Sequence, residues 1–335
     1  MESVDWIFNC TREPHPRKDL VKRYPESNHC IILRNGHLFQ VPLTDGKAPV
    51  TWEHLEDAFD GIIHTSNDSV DTFAPLTAGD QDAWAKNREQ LRSSSTHNNH
   101  SLEIIESSAF NICLDGDAPA GATERLNHFL LGITNRWSDK TLQFIVRANG
   151  ASAILAEHTH IDGGILRQLN EHLYRRLTES TGNPALTTGH ESTNDYATTN
   201  RPEFSNGHAK KNGHTTTNGD PKKAGPLFNR LEFDSIPNLL IEARHIQRDF
   251  TRMTAPLTSE IGICAFPSLS ANVFRDYGCA PRAACQVAIQ LAARIYFGEQ
   301  IPSWETVSLR AFPRGRVDIV QTVLPSMYRF CSAAL

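Results

Sequence analysis

Leu142-Gln143-Phe144-Ile145-Val146, then Asn149-Gly150, then Ala153-Ile154-Leu155-Ala156 are two short β-prone runs joined at a turn signal. Beyond them, Ile165, Leu166, Leu169, Leu173 and Leu177 fall on one stripe of a helix. Strand, turn, strand and helix in succession predict α/β layers rather than a bundle or a sandwich.

The same alternation extends in both directions. Upstream, Cys30-Ile31-Ile32-Leu33-Arg34 and His37-Leu38-Phe39-Gln40-Val41 flank Asn35-Gly36, a hairpin signal. Asp82 to Leu91 has the pattern of an exposed helix, and Phe110-Asn111-Ile112-Cys113-Leu114 that of a buried strand. Downstream, Leu239, Ala243, Ile246 and Phe250 line one face of a helix from about Pro237 to Met253. Another helix is expected from Pro281, which suits a first helical turn, to near Gly298. Between about Thr178 and Gly225 the composition becomes Thr, Asn, Gly, His and Lys, too poor in apolar surface to offset the entropy of ordering. It is read as a disordered insertion (178–225) between a leading module, 1–177, and a trailing one, 226–335. His190, His208 and His214 inside it are irregularly spaced and indicate linker rather than metal binding.

Composition narrows the function classes. With 39% hydrophobic residues and 21% charged, the chain reads as a globular protein of one large or two ordinary domains. A net charge of −5 argues against a nucleic-acid partner. The cysteines at 10, 30, 113, 264, 279, 285 and 331 form no CxxC pair, so neither a zinc site nor a disulfide framework is expected. No apolar run is long enough to span a membrane, and neither terminus carries a signal-peptide or peroxisomal pattern. A cytoplasmic location is the expectation.

The chemistry falls at the end of the second quoted strand, in Glu157-His158-Thr159-His160-Ile161-Asp162-Gly163. It contains His-x-x-x-Asp-Gly, which recurs in thioester-dependent acyltransferases. An alcohol attacks a thioester at neutral pH only if a base takes its proton as the bond forms, and histidine is suited to that exchange. His158 is the expected base. Asp162 either orients its ring or braces the turn, and Gly163 relaxes the backbone there. His160, two residues along, would face the other side of an extended segment.

Asn135-Arg136-Trp137-Ser138-Asp139-Lys140-Thr141-Leu142-Gln143-Phe144-Ile145-Val146 followed by Asn149-Gly150 and Glu157-His158 resembles the choline/carnitine acyltransferase family. So do Leu33 to Phe39, Trp84 to Arg88, Leu114-Asp115, Ala280-Pro281-Arg282, Gln286 to Ala292 and Glu305 to Arg316, which leaves out little but the insertion. The resemblance implies two α/β domains, with mixed β-sheets flanked by helices and an active-site tunnel between the domains. The thioester would enter from one side and the acceptor from the other, with His158 as general base. It also implies that a first helical segment, and a Ser-Thr-Ser stretch that helps stabilise the oxyanion, fall outside this chain.

Departures from the family pattern shape the expected substrates. The tyrosine and threonine that hold the carnitine carboxylate in the family match Trp304 and Val317 here, and the basic residue expected beyond them is Gln321. With Ser308 these are the candidate acceptor-binding positions. Of the lysines that bind the coenzyme A 3′-phosphate, one matches Ala271, and Arg275 stands in for another. The combination resembles the carnitine-acyltransferase-like domains of fungal highly reducing polyketide synthases. That implies an acyl carrier protein or polyketide synthase partner, a phosphopantetheine or coenzyme A thioester as cosubstrate, no permanently bound cofactor, and a hydroxyl-bearing small-molecule acceptor. A conventional carnitine or choline acyltransferase using acyl-CoA, and a remnant that only binds, stay open at this level.

Overall fold

The computed structural model describes residues 7–181 and 227–335, apart from residue 160 and short stretches within 119–131, 261–267 and 310–315. The described residues form two compact units. The first holds the residues up to Asn170 together with 227–262; the second holds 171–181 and the residues from 266 onward. The segment 182–226, which includes nearly all of the expected insertion, lies outside the described residues.

Ten strands are described. In the first unit these are β1 (Cys10–His15), β2 (Lys18–Arg23), β3 (His29–Arg34), β4 (His37–Pro42), β5 (Asn111–Asp115), β6 (Leu142–Arg147), β7 (Ser152–Ala156) and β8 (Asn229–Leu231). In the second they are β9 (Trp304–Ser308) and β10 (Val317–Gln321). The helices of the first unit are α1 (Trp52–Thr65), α2 (Gln81–Ser94), α3 (Thr96–Ser107) and α5 (Pro237–Glu260). Helix α4 (Gly163–Thr181) crosses the division between units and runs past the helix end expected near 177. The second unit adds α6 (Ala271–Asp276), α7 (Pro281–Phe297) and α8 (Pro325–Ala334).

Six strands make one mixed sheet in the order β7-β6-β5-β3-β4-β8. The β3, β5 and β6 strands run parallel, and β7, β4 and β8 are antiparallel to their neighbours. The mixed α/β character expected from the sequence is thus observed. Strand β3 shows why both faces must be covered. Ile31 and Leu33 join one core with Leu76, Trp84, Leu102, Trp137, Leu239 and Ala243, whereas Cys30 and Ile32 join another with Phe39, Val41, Ala58 and Ile62. A strand apolar on both sides is stable only between two layers. Helices α2, α3 and α5 supply one layer and α1 the other.

Residues 227–262 therefore pack with the leading part of the chain. Phe228 lies so close to Gly61 in α1 that a Cβ there would meet its Cε1 at 2.6 Å, which accounts for a glycine inside a helix. The Asn35-Gly36 turn between β3 and β4 forms as expected, with φ of 50° and 86°. A side chain at Gly36 would strike the Val70 carbonyl at 2.3 Å.

The β1–β2 hairpin, which sequence patterning did not reveal, is tied to the sheet through buried ions. Arg12 Nη2 and Nε donate to Asp139 Oδ1 at 2.7 and 3.0 Å, and Trp84 Nε1 donates to Asp139 Oδ2 at 2.6 Å. Next to it, Lys140 is fully buried and its Nζ donates to the Glu106 carbonyl at 2.9 Å. Burial pushes the Lys140 pKa down to about 7, against the opposing pull of Cys10 and Glu106. Between that value and the ordinary lysine value of 10.5, the unfolded chain binds a proton that the folded chain does not. The penalty for burying this amine therefore falls as pH rises through that window. Relative to the parent, Lys140→Met is expected to lose ground between pH 7 and pH 10, by about 1.4 kcal/mol for each step of one in pH and a few kcal/mol in all. Urea unfolding across that range measures it; parallel pH profiles would contradict the assignment.

Candidate active site

Strand β7 runs antiparallel to β6, with Ala156 opposite Leu142, so the chain leaves β7 beside Thr141. Glu157 N–H extends the ladder to the Thr141 carbonyl at 3.1 Å. The backbone then bends towards α4, with Ile161 and Asp162 buried and the His158 side chain 75% exposed. His158 Nδ1 lies 2.7 Å from the Ile161 carbonyl oxygen. A carbonyl only accepts, so Nδ1 carries the proton and Nε2 the lone pair. Asp162 Oδ1 stands 3.8 Å from Nδ1, beyond hydrogen-bond length but close enough for its charge to act on the ring. Of the two roles open for Asp162, the ring's short contact goes to the neighbouring carbonyl, and Asp162 sits behind it as a buried carboxylate. His160, the rival base, lies outside the described residues.

The positions expected to select substrates lie in the second unit. In the β9–β10 register Trp304 faces Gln321, Thr306 faces Ile319 and Ser308 faces Val317. Side chains two apart on a strand share a face, so Trp304, Ser308, Val317 and Gln321 all project from one side of this hairpin. Positions scattered over 304–321 in sequence become one surface, with Trp304 and Val317 exposed. Its own side chains are an indole, two aliphatic groups, two hydroxyls and an amide, and the Arg282 guanidinium reaches the Thr306 hydroxyl at 3.4 Å. Arg275 lies apart from them, on α6, its Nη1 donating to Asn272 Oδ1 at 2.8 Å. Ala271 is one turn away, where a second cation would stand beside it.

A cavity of about 1310 Å³ lies elsewhere in the first unit. It opens beyond the carboxyl ends of the parallel strands β3, β5 and β6, lined among others by Asn35, Asp115, Asn135, Arg136 and Arg147. Because β7 is antiparallel, His158 follows its carboxyl end at the opposite edge of the sheet. The cavity's charges are arranged in pairs. Arg136 Nη2 donates to Asp115 Oδ2 at 2.7 Å, Arg147 Nη2 lies 3.1 Å from the same oxygen, and Arg147 also pairs with Asp117. Burial works against the Arg136 charge, but its bonds to Asp115 outweigh this and hold the pKa above the ordinary arginine value.

Glu157 and Thr159 are structural parts of the His158 turn that sequence reasoning missed. Glu157 Oε1 accepts from Thr159 Oγ1 at 2.6 Å, and both carboxylate oxygens lie 3.1 Å from Thr159 N. The only signal available was a carboxylate two residues before a hydroxyl, a pattern common in turns.

With the fold and these side chains in place, comparison with known proteins defines the class. The family model for choline/carnitine O-acyltransferases matches residues 1–335, and the chain belongs to that family. It is 30% identical over 335 residues to a highly reducing polyketide synthase of Aspergillus luteorubrus, covering 99% of this chain and 10% of that protein. It is 28% identical over 336 residues to human mitochondrial carnitine O-palmitoyltransferase 2, covering 98% of this chain and 45% of the relative. Mouse choline O-acetyltransferase is 26% identical over 347 residues, with 98% and 48% covered. The chain thus spans less than half the length of each of these relatives. No described helix is long and apolar enough to cross a membrane.

The pairing beside the cavity allows a direct test. Asp115→Ala leaves Arg136, 1% exposed, without its counter-charge, while Arg147 keeps Asp117. A loss of about 3–5 kcal/mol in unfolding free energy is expected, as for one half of a buried ion pair. Denaturant titration measures it, and a change under about 1 kcal/mol, the worth of a surface pair, would show that Asp115 is dispensable.

Proposed function

We propose that this chain moves an acyl group from a thioester to an alcohol, with His158 as the general base. The observation that carries the reading is the His158 ring itself. Its Nδ1 is engaged on the Ile161 carbonyl, and three quarters of its side chain is open to an incoming molecule. In this reaction Nε2 takes the acceptor's hydroxyl proton as the oxygen attacks the thioester carbonyl. The tetrahedral intermediate then collapses with loss of the thiolate, and Nε2–H returns the proton to that sulfur. The buried Asp162 carboxylate stands 3.8 Å from the ring Nδ1.

The donor we assign is an acyl chain on a phosphopantetheine arm, carried by an acyl carrier protein of a polyketide synthase. Two observations support this: the 30% identity to a highly reducing polyketide synthase, and the single Arg275 beside Ala271 where a nucleotide phosphate calls for cations. No cofactor is needed beyond this cosubstrate. The free thiols buried at Cys10, Cys30, Cys113 and Cys331 fit a reducing, cytoplasmic setting. His158→Ala is expected to lower acyl transfer by about 10²–10⁴-fold with the fold intact, and His160→Ala to have much less effect. Steady-state rates with an acyl-pantetheine donor and an alcohol decide it, and an active His158 variant would sink the mechanism.

Trp304, Val317 and Gln321, where the family pattern has a tyrosine, a threonine and a basic residue, favour an acceptor without a carboxylate. Carnitine's carboxylate would meet Trp304, Val317 and Gln321, none of them cationic. Each hydrogen bond to a charged group is worth about 1.5–3 kcal/mol, so two missing donors weaken carnitine by about 10²–10⁴-fold. Glycerol-like alcohols are expected to outperform carnitine with the parent protein. Trp304→Tyr with Val317→Thr is expected to recover part of the carnitine rate, Gln321 still lacking a charge. Efficient carnitine acylation by the parent would overturn this acceptor assignment.

A further inference from the structure

The His158 ring is largely exposed, so packing contributes little to fixing its direction. What does fix it is the backbone bend on which it stands, and that bend is closed by side chains on either side of His158. Glu157 is anchored to the sheet through its N–H bond to the Thr141 carbonyl. Its side chain then folds forward over residue 158, where the carboxylate accepts from both the amide and the hydroxyl of Thr159. On the other side lies the ion network of the β1–β2 hairpin. Burial acts against the Arg12 charge, but Asp139, Asp19 and Glu157 together outweigh it and raise the Arg12 pKa. Arg12 is itself held by the fully buried Asp139. Glu157 is thus held to the sheet by its backbone and to Thr159 by its carboxylate.

We infer that Glu157 is a positioning residue for acyl transfer: clamped on the Thr159 amide and hydroxyl, its carboxylate sets the bend that aims the His158 ring. The inference rests on the reading of His158 as the base. The Thr159 amide donates to both carboxylate oxygens and its hydroxyl to one of them. Bonds of this charge-assisted kind are about twice as strong as neutral ones, enough to hold an exposed turn. A base must lie within hydrogen-bond reach of the hydroxyl, and a displacement of about 1 Å is enough to cost up to 10²-fold in rate.

The experiment uses the full chain with Glu157→Ala, Glu157→Gln, Thr159→Val, Thr159→Ser and, in parallel, His158→Ala. With an acyl-pantetheine donor and a glycerol-like acceptor, Glu157→Ala and Thr159→Val are expected to lower kcat by about 10–100-fold, with KM for the donor within about two-fold of the parent. Glu157→Gln keeps one acceptor oxygen and should fall between, and Thr159→Ser should restore the parent rate. If His158→Ala is inactive while Glu157→Ala is fully active, the positioning role fails and the base assignment survives. If His158→Ala is active, the base assignment fails.

A second readout needs no turnover. Long-range nitrogen–proton spectra of ring-labelled histidine, taken well above the ordinary histidine pKa of about 6.5, report which ring nitrogen is protonated. The His158 signals are identified by their absence in His158→Ala. The parent should show the Nδ1–H tautomer, fixed by the Ile161 carbonyl. Glu157→Ala and Thr159→Val should show a mixture of tautomers at this one ring, with the other histidine signals unmoved. An unchanged His158 tautomer in Glu157→Ala would overturn the inference even if no variant, or the parent itself, turned over.

Discussion

Asp139 has no solvent to neutralise it, and much of the first unit is arranged around that fact. A buried carboxylate is tolerable only when its oxygens are fully engaged, and here Arg12 takes one and Trp84 the other. Arg12 brings with it the β1–β2 hairpin, and Trp84 brings α2. The neighbouring Lys140 reaches the carbonyl of Glu106 in α3, while the Glu106 carboxylate holds Arg88 of α2 at 2.6 and 2.8 Å. Three parts of the chain are thus tied by polar contacts to Asp139 and Lys140, just ahead of β6, and α2 and α3 add apolar packing to these ties. Burial pushes Asp139 up to about 7 despite its bonds to Arg12 and Trp84.

That network lies at the same edge of the sheet as His158. The candidate base follows an antiparallel strand whose end returns beside Thr141, one residue after Lys140. The opposite edge, where the parallel strands end, holds the large cavity with its paired arginines and aspartates. Ligands commonly bind beyond the carboxyl ends of parallel strands, and by volume alone the cavity would have been chosen as the active site. The antiparallel turn of β7 is what moves the candidate chemistry to the other edge.

The second unit follows a different logic. Its hairpin has one face that carries Trp304, Ser308, Val317 and Gln321. Changing that face alters what a neighbouring molecule meets without disturbing the sheet of the first unit.

Much of the fold was legible in sequence because local signals and burial coincided. The Asn35-Gly36 turn, the β6–β7 pair and the helices beginning at Pro237 and Pro281 all have turn or cap chemistry at the boundary and an apolar pattern inside. His158 and Asp162, four residues apart in one short motif, stand 3.8 Å from each other in the turn. The β1–β2 hairpin was not, because Lys18-Asp19-Leu20-Val21-Lys22-Arg23 carries the charges of a loop and becomes a strand only through Arg12 and its distant partner Asp139. Nor did spacing show that Trp304 and Ser308 share a face with Val317 and Gln321, since that depends on a strand register set by pairing. Sequence by itself determined the elements, the family pattern and the candidate base, all of which rest on interactions between near neighbours. Tertiary structure decided which edge of the sheet holds the base, how Glu157 and Thr159 close the turn beneath it, and where buried charges find partners, because each of these depends on groups brought together from far apart in the chain.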